Sequence, residues 1–432
     1  MTTGKEGRKA KVVLAASGSH GDVHPFIAVS LALKAQGLEA VIATRETFRA
    51  KVEAEGLGFA PVRPDLPDIE ARFGLDQDAI ARAVANPRRG VSFMVRTLTM
   101  DFLRESLEDS LAALEGADLV VAHTTAVAAR LAAETRGLPW LSAVLQPFSF
   151  LSAQDRPSIG VSPLLDRLRP LIPAAAYRRV FALLRGRSET LLAPYHALRS
   201  ELGLTGRAPN PLFEGQFSAR GVLGLYSPLL GPVRSDYPPN TALTGFCFYD
   251  GREPLDPALQ RFLDEGPSPV VFTLGTAAAL DAGDFFIAAR AAARRLGARA
   301  VFLTGPDPRT ALPGLGPDMI SRPYAPYSEV FPRARAIVHQ AGVGTIGEAL
   351  RAGRPQVCVP FLVDQPDNAA RIRRLGVAAV VPRQRCNEKS LAAAISGCGR
   401  PAVEDKARAC KGLAGDGAQS AASAIIAALS AP

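Results

Sequence analysis

The sequence predicts an α/β protein of two doubly wound domains whose parallel sheets face one another across a cleft. Two observations support this prediction. In both halves of the 432-residue chain, short apolar runs alternate with helical segments, which is typical of parallel sheets covered by helices on both faces. A polar segment rich in Pro and Gly, residues 250–269, separates the halves and predicts a linker with one short helix. A chain of this length can form two domains with separate cores.

The N-terminal half begins with an apolar run at residues 11–16, which is too short for a helix and predicts the first strand. It ends at the small and polar residues 17–22, and a helix is predicted from Pro25 to Gln36, closed by Gly37. Residues 1–245 are predicted to form the N-terminal domain, followed by a linker at 246–268. Further strands are predicted at 39–44, 118–122, 139–145, 221–226 and 243–248, with helices at 47–55 and 126–135.

Residues 163–204 are predicted to be helical, with apolar positions interleaved with arginines such as Arg178 and Arg179. One interpretation is an amphipathic surface that contacts a lipid-like acceptor or the inner face of a membrane. The other is a helical subdomain with solvated arginines, which we favour because Pro170 and Pro173 interrupt the helix.

The second half repeats the alternation. We expect a C-terminal domain at residues 269–414 and a helix in 415–432 that packs back on the N-terminal domain. A loop is predicted between residues 304 and 336. Strands are predicted at 270–274, 299–304, 336–339, 356–360 and 377–382, and helices at 285–296 and 415–429.

Bulk composition excludes several classes of protein. The formal charge of +9 comes from arginines that are mostly dispersed, so we expect no nucleic-acid partner. The five cysteines have no CxxC spacing, and we expect reduced, mostly buried thiols in a cytoplasmic protein. No signal peptide is visible, and no apolar stretch approaches the roughly 20 residues that a membrane span needs.

The stretch at residues 336–372 carries the main functional signal. A strand ends at His339 and Gln340, and a turn containing Gly342, Gly344 and Thr345 leads into a helix. Glycines let backbone N–H groups approach an anion, and a helix N-terminus attracts negative charge, so this turn predicts a phosphate site. After the next strand, Asp364 and Gln365 are suited to hydroxyl groups. Together these features predict a nucleotide-sugar site.

The same turn satisfies a rival pattern. Gly342, Gly344 and Gly347 match GxGxxG, with Asp364 about twenty residues further on, so an NAD-dependent oxidoreductase is an alternative. Against it, strands precede the turn within the domain, polar groups stand at the strand end, and Asp364 belongs to a longer polar set. A second alternative is that the glycines only pack the helix against the strand.

At this point the motifs resemble those of the GT-B UDP-glycosyltransferase superfamily, glycosyltransferase family one. Within this superfamily, the motifs most resemble those of the bacterial macrolide, glycopeptide, sterol and rhamnolipid glycosyltransferases. Residues 339–368 resemble the donor-binding motif, and residues 18–25 (GSHGDVHP) resemble the acceptor-domain signature. Residues 272–276 and 324–327 extend the resemblance over nearly the whole chain, and it is loose at about 65–210. It implies two Rossmann-like domains: an N-terminal acceptor-binding domain and a C-terminal donor-binding domain.

The resemblance also implies roles for individual residues. Tyr324 falls where the family stacks an aromatic ring on the base, with Tyr327 nearby. Glu348 falls at a ribose-binding position, and Asp364 and Gln365 at the sugar-binding positions. Gln340 falls where the family usually has a phosphate-binding His, and His339 lies one place upstream. The implied residues near the phosphates are Gly275, Thr276, His339, Gln340, Gly342, Gly344 and Thr345.

For catalysis, Asp22 falls on the family's base position, and His20 is close enough in sequence to share that role. His123 falls where plant members place the Asp that orients their catalytic His, so we expect an inverted pair of Asp22 and His123 across the cleft. Turn amides stabilise the leaving diphosphate, so no metal and no cofactor are expected beyond the nucleotide-sugar co-substrate.

The resulting hypothesis is a metal-independent, inverting transfer of a hexose from a UDP- or dTDP-linked donor to a hydroxyl of an apolar small molecule or lipid-like acceptor. Secondary-metabolite or glycolipid biosynthesis is the implied setting. A nucleotide-sugar epimerase on the same scaffold and a non-enzymatic sugar-nucleotide sensor stay as alternatives. The sugar, the acceptor and the oligomeric state stay open.

Overall fold

The computed structural model describes residues 8–84, 86, 89–158, 168–206, 208–279, 281–361 and 363–430. Two sheets, in which all pairings are parallel, account for the strands of this part of the chain. The first sheet has the order β3-β2-β1-β4-β5-β6-β7 and the second β10-β9-β8-β11-β12-β13. The strands are β1 Lys11–Ala15, β2 Glu39–Thr44, β3 Gly58–Pro61, β4 Leu119–His123, β5 Trp140–Val144, β6 Val222–Gly224, β7 Thr241–Leu243, β8 Val270–Thr273, β9 Ala300–Leu303, β10 Met319–Arg322, β11 Ala336–His339, β12 Gln356–Cys358 and β13 Ala378–Val380.

Helices connect the strands and cover both faces of each sheet, which confirms the predicted doubly wound α/β class. None of the described helices is long and apolar enough to cross a membrane. The helices are α1 His20–Ala35, α2 Arg49–Ala54, α3 Leu66–Phe73, α4 Gln77–Val84, α5 Gly90–Arg96, α6 Leu103–Ala113, α7 Val127–Arg136, α8 Ala174–Ser188, α9 Ala193–Glu201, α10 Pro257–Asp264, α11 Gly275–Ala279, α12 Phe285–Arg295, α13 Tyr327–Val330, α14 Val343–Ala352, α15 Gln365–Leu375, α16 Glu388–Cys398, α17 Pro401–Cys410 and α18 Gly417–Ser430.

Several predicted elements differ from the structure. Helix α1 begins at His20, earlier than predicted, so the small-residue segment forms its first turn. The strand predicted at 243–248 is wrong, because β7 ends at Leu243 and irregular chain follows. Strand β10 lies inside the predicted loop. The first part of the predicted helical region, residues 163–167, is outside the described residues.

Each sheet has a point where the strand order reverses. In the first sheet β1 lies between β2 and β4, and in the second β8 lies between β9 and β11. The connections after the two central strands therefore diverge, leaving a crevice beyond the carboxyl ends of β1 and β4, and a second beyond β8 and β11. Ligands of open parallel sheets bind at such positions.

The two sheets are joined by shared packing. One apolar core contains Tyr226 and Leu230 from the first domain, Phe246 from the linker, and Ile346 and Ile372 from the second domain. Helix α18 returns to the first domain, where Ala421, Ala422 and Ile425 are buried in the core formed by β1, β2 and α1. These contacts fix the relative placement of the two crevices.

Candidate active site

The first crevice begins at the turn between β1 and α1. Gly18 has φ +139°, and a Cβ built there would lie 2.2 Å from Oδ2 of Asp22, so the turn requires glycine. Oδ2 of Asp22 accepts hydrogen bonds from the backbone N of Ser19 at 2.7 Å and from its Oγ at 3.0 Å. Ser19 is the N-cap and Asp22 the third residue of α1, so the Asp22 carboxylate closes a capping box with Ser19 and stands at the crevice.

His123 ends β4 on the same side of the cleft as Asp22, so the predicted placement of this pair across the cleft is wrong. Its Nδ1 lies 2.6 Å from Oγ1 of Thr125, and that hydroxyl donates to the carbonyl of Ser17 at 3.1 Å. Because the hydroxyl proton is already used, Nδ1 carries the ring proton and Nε2 holds the lone pair. Burial lowers the pKa of His123, and the negative charge of Asp22 opposes that shift.

His20 begins α1 and packs towards α2, with its ring 5.0 Å from that of Phe48 and 5.4 Å from that of His24. Burial lowers the pKa of His20, and the positive charges of Lys51 and Arg45 lower it further. Burial also lowers the pKa of His24, to about 3. Both imidazoles are therefore neutral at neutral pH, so His20 retains a lone pair that can accept a proton.

The second crevice contains the glycine turn between β11 and α14. Gly342 is the N-terminal cap, and the first helical turn carries no acidic residue. Gly344 is exposed, and a Cβ built on it would meet nothing within 4 Å. Ala341 has φ +67°, an uncommon conformation for a residue with a Cβ. The free N–H groups at the start of α14 therefore face the crevice, as an anion site requires.

Gln340 lies between two glycine turns. A Cβ on Gly275 would lie 2.5 Å from its Nε2, and a Cβ on Gly342 would lie 2.7 Å from the same atom. Gln340 is nearly buried, and its Oε1 has no hydrogen-bond partner among the described residues. The amide thus occupies the space that two missing side chains leave. Thr276 follows Gly275 in α11, and its side chain is outside the described part of the structure.

The prediction that His339 contacts the donor is wrong for this structure. It is completely buried, its Nε2 lies 2.9 Å from Oε1 of Gln356, and its Nδ1 accepts from the backbone N of Ala341 at 3.1 Å. Burial lowers its pKa to about 4, in agreement with a neutral ring. β11 ends at His339, which enters the core, and Gln340 follows the strand and lies beside the two glycine turns.

The third glycine of the GxGxxG pattern has a packing role. A Cβ on Gly347 would lie 2.8 Å from the ring of Phe246 in the linker. Gly347 therefore lets α14 approach the linker closely. The pattern that resembles a dinucleotide fingerprint is explained here partly by interdomain packing.

Two tyrosines of the second domain have different environments. Tyr324 is 51% exposed and presents a ring to the cleft, as a base-stacking platform requires. Tyr327 stacks on Phe331 at 4.3 Å, and its hydroxyl lies 2.9 Å from Oγ1 of Thr273. Tyr327 therefore packs against β8 and supports the turn that follows this strand.

Lys51, in α2 of the first domain, was missed by sequence reasoning. Its Nζ lies 5.9 Å from the ring centres of both Tyr324 and Tyr249. Tyr249 donates to the buried carboxylate of Glu55 at 2.9 Å. Lys51 thus brings a positive charge from the first domain to the exposed tyrosine of the second. Only the fold brings these separate segments together.

Three polar residues of the second domain border the crevice. Oδ2 of Asp364 accepts from Nδ2 of Asn368 at 2.7 Å, and Oε1 of Gln365 accepts from the backbone N of Phe361 at 2.7 Å. Glu348 pairs with Arg351 at 2.7 Å, and burial raises its pKa to about 7. These groups provide hydrogen-bond acceptors for hydroxyls.

The two crevices are electrostatically connected. Burial raises the pKa of Asp364 to about 6, the hydrogen bond from Asn368 opposes this shift, and the negative charge of Asp22 adds to it. Asp22 of the first domain and Asp364 of the second are therefore close enough to interact across the cleft. Among the described residues, no group of three or more His, Cys, Asp or Glu side chains is arranged to hold a metal ion.

Comparison with known proteins gives matches over both halves. The model of the glycosyltransferase family 28 N-terminal domain matches residues 12–150, and that of the erythromycin biosynthesis protein CIII-like C-terminal domain matches residues 306–428. O-mycaminosyltylonolide 6-deoxyallosyltransferase of Streptomyces fradiae is 33% identical over 413 residues, and the match covers 92% of this chain and 91% of that protein. Glycosyltransferase GtfE of Amycolatopsis orientalis is 28% identical, covering 97% of this chain and 98% of its own.

Solved structures agree with the fold. The glycosyltransferase VinC in complex with dTDP has a TM-score of 0.67 and 19% identity, over 97% of this chain and 99% of its own. SnogD of Streptomyces nogalater has a TM-score of 0.64 and 20% identity, over 98% of this chain and 100% of its own. These similarities confirm the predicted GT-B arrangement of two Rossmann-like domains.

Proposed function

Because the chain belongs to the family-one GT-B glycosyltransferases, we propose that this enzyme transfers a hexose from a UDP- or dTDP-linked donor to a hydroxyl of an apolar acceptor. The observation that carries the proposal is that two crevices face each other across the cleft. One presents the carboxylate of Asp22, and the other presents the free helix N-terminus at Gly342 and the acceptor groups of Asp364. The N-terminal domain binds the acceptor, and the C-terminal domain binds the donor.

On the donor side, the diphosphate binds at Gly342, Gly344 and Thr345, where backbone N–H groups and the helix dipole compensate its charge. The base stacks on Tyr324, with Lys51 over the ring. Ribose hydroxyls reach Glu348, and sugar hydroxyls reach Asp364 and Gln365. The name of the Streptomyces fradiae relative specifies a 6-deoxyallosyl group, which supports including dTDP-deoxysugars among the candidate donors.

The reaction is a single displacement that inverts the anomeric carbon. The acceptor oxygen forms a bond to that carbon as the bond to the diphosphate oxygen breaks. The hydroxyl proton passes to Asp22, whose charge acts on neutral His123, and the charge left on the diphosphate is held by the amides of α14. This arrangement supplies leaving-group stabilisation without a metal ion.

The N-terminal half of the chain carries an exposed apolar surface on helix α8. Helix α8 has no buried residue, and Val180, Leu183 and Leu184 are all exposed, Leu183 by 65%. Arg185 is paired with Glu214 and Glu189. Apolar side chains on the outer face of a helix favour a hydrophobic or lipid-like acceptor, or contact with a membrane surface. They favour these over the interpretation as a helical subdomain with solvated arginines.

Two measurements test the proposed function. A thermal-shift screen with UDP, dTDP and NAD is expected to show stabilisation by UDP or dTDP, because a ligand stabilises only the state that it binds. Stabilisation by NAD without any effect of UDP or dTDP would favour the oxidoreductase. Mass spectrometry with UDP-glucose and dTDP-rhamnose is then expected to detect glycosylated product only when an acceptor is added. Conversion of the donor to an isomer of the same mass without an acceptor, resolved by chromatography before the mass measurement, would favour the epimerase.

A further inference from the structure

A buried ionic network joins the two domains behind the donor-sugar residues. The side chain of Arg371, in α15, is 1% exposed. Its Nε donates to Oδ2 of Asp367 at 2.6 Å, and its Nη1 donates to the carbonyl of Leu230 at 2.9 Å and to the carboxylate of Asp155. Asp155 and Leu230 belong to the first domain. One guanidinium of the second domain thus binds two segments of the first.

The first domain holds its side of the network rigidly. The backbone N of Asp155 donates to Oγ of Ser152 at 2.9 Å, and that hydroxyl donates to Asp236 at 2.7 Å. Asp367 receives a second contact from this domain, because its Oδ1 accepts from the backbone N of Ser158 at 2.8 Å. The network is therefore two-sided: α15 supplies Arg371 and Asp367, and the segment 152–158 supplies their partners.

The fold leaves space for this network at one glycine. A Cβ built on Gly231 would lie 2.7 Å from Nη1 of Arg371 and 3.0 Å from Oδ2 of Asp155. Any side chain at this position would push between the two charged groups. Gly231 is thus a site at which the network can be disturbed from the first domain without changing a charge.

Removing one partner of a buried ion pair leaves an uncompensated charge, so the network holds its geometry strongly. The same helix carries the donor-sugar residues. Asp364 caps α15 and Gln365 is its first residue, less than two turns from Arg371. Tyr324 and Gly342, which serve the nucleotide in the proposed function, lie on other elements. The network therefore acts most directly on the sugar end of the donor site, and the same helix reaches the phosphate turn through Asn368, whose Nδ2 donates to the carbonyl of Ala341 at 3.2 Å.

We propose that Arg371 is a positioning residue, which anchors α15 to residues 152–158 and 230 of the first domain and thereby holds Asp364 and Gln365 against the donor sugar. The inference rests on the proposed function. It means that the placement of the sugar depends on the contact between the two domains at Arg371.

The test compares ligands with and without the sugar. Calorimetric Kd values are measured for dTDP, dTDP-glucose, UDP and UDP-glucose with the wild type, Arg371→Lys, Asp155→Asn and Gly231→Ala. We expect the variants to bind the sugar nucleotides about tenfold more weakly, within the usual range of coupling between sites, and to bind dTDP or UDP as the wild type does. Arg373→Lys, at an exposed position of the same helix, is the matched control and is expected to change neither.

A purely structural role would weaken both ligand classes equally, or neither, and either result overturns the inference. Gly231→Ala and Asp155→Asn keep the test open if Arg371→Lys does not fold. If the wild type binds none of the four nucleotides, the proposed function fails, and the positioning of the sugar fails with it. Amide hydrogen exchange of residues 365–375 in the free protein tests the anchor separately: about tenfold faster exchange in Gly231→Ala supports it, and unchanged exchange overturns it.

Discussion

Two strand–turn–helix units of similar geometry face the cleft, and they differ in what occupies the start of the helix. In α1 the Asp22 carboxylate accepts from the backbone of Ser19 and fills the N-terminus. In α14 the cap is Gly342, and no acidic residue follows in the first turn. The first unit is closed to an anionic ligand by its own charge, and the second is open to one. The unit with a carboxylate in its first helical turn is thus suited to accept a proton, and the unit without one is suited to bind phosphate.

The largest expected effect comes from removing the charge of Asp22 while keeping its hydrogen bond from Ser19. The N-cap is Ser19 and Asp22 is the third helical residue, where the Oδ1 of an asparagine can still accept from the backbone N of Ser19. Asp22→Asn is therefore expected to fold with nearly wild-type stability and to lose about 10²–10⁴-fold in kcat, the range for loss of a general base. Steady-state turnover and urea unfolding measure the two quantities.

Asp22→Ala and His123→Ala are the matched comparisons. Alanine at position 22 also removes the acceptor of the hydrogen bonds that Ser19 donates, which costs about 1 kcal/mol in the free energy of unfolding. His123→Ala is expected to reduce kcat less, because the histidine acts beside the carboxylate. Turnover near that of the wild type in Asp22→Asn, or in both alanine variants, would reject the base role.

The second prediction concerns a variant in which the open turn of α14 gains a carboxylate like that of α1. Gly344→Asp places a carboxylate in the first turn of α14, where a Cβ has free space. The new charge competes with the diphosphate, so the Kd for dTDP or UDP is expected to rise about tenfold or more. Gly344→Asn adds a side chain of the same shape without the charge and is the control. Equal Kd values for the two variants would show that the turn does not bind the diphosphate.

The third prediction concerns Asp364, the acidic residue of the open side. Its pKa is raised from its ordinary value of 3.8 to about 6, chiefly by burial, so between these values the folded protein binds more protons than the unfolded protein. Stability is therefore lost as the pH rises through this window, and the loss is complete above about pH 6. Asp364→Asn avoids that loss and is expected to gain about 1–2 kcal/mol at pH 7.5.

Urea unfolding at pH 4.5 and pH 7.5 measures this gain, which is expected to be larger at the higher pH. The same variant is expected to bind dTDP normally and dTDP-glucose more weakly, because an amide replaces the carboxylate that meets the sugar hydroxyls. This would be a trade of stability for function. A variant that is less stable than the wild type at pH 7.5 would contradict the sign.

Much of this comparison was predictable from the sequence, and the failures have a common physical cause. The bounds of β11 were predicted correctly, because a buried apolar run stops at small residues. β10 was missed, because all four of its residues are only half buried and carry no clear alternation. His339 and Gln340 are adjacent in sequence, but His339 enters the core and Gln340 lies beside the glycine turns, and the choice between them depends on the register with Gln356 of β12. Lys51 and Arg371 depend on contacts between segments far apart in the chain.

The smallest expected effect comes from Gln340, which fills the space beside Gly275 and Gly342 with a neutral amide. Gln340→His would add an ionisable donor where the family usually has one. Burial lowers the pKa of such a histidine, so its charge and the resulting gain in diphosphate affinity appear only as the pH falls.

We expect the Kd for dTDP of Gln340→His to match that of the wild type within about twofold at pH 8 and to be about three- to fivefold lower at pH 5.5. Calorimetry at the two pH values measures this. Because Glu348 and Asp364 also titrate in this range, the ratio of variant to wild type at each pH is the quantity to compare. A ratio that does not change with pH would show that the position contributes shape and not charge, and the open turn would then bind the diphosphate through its backbone alone.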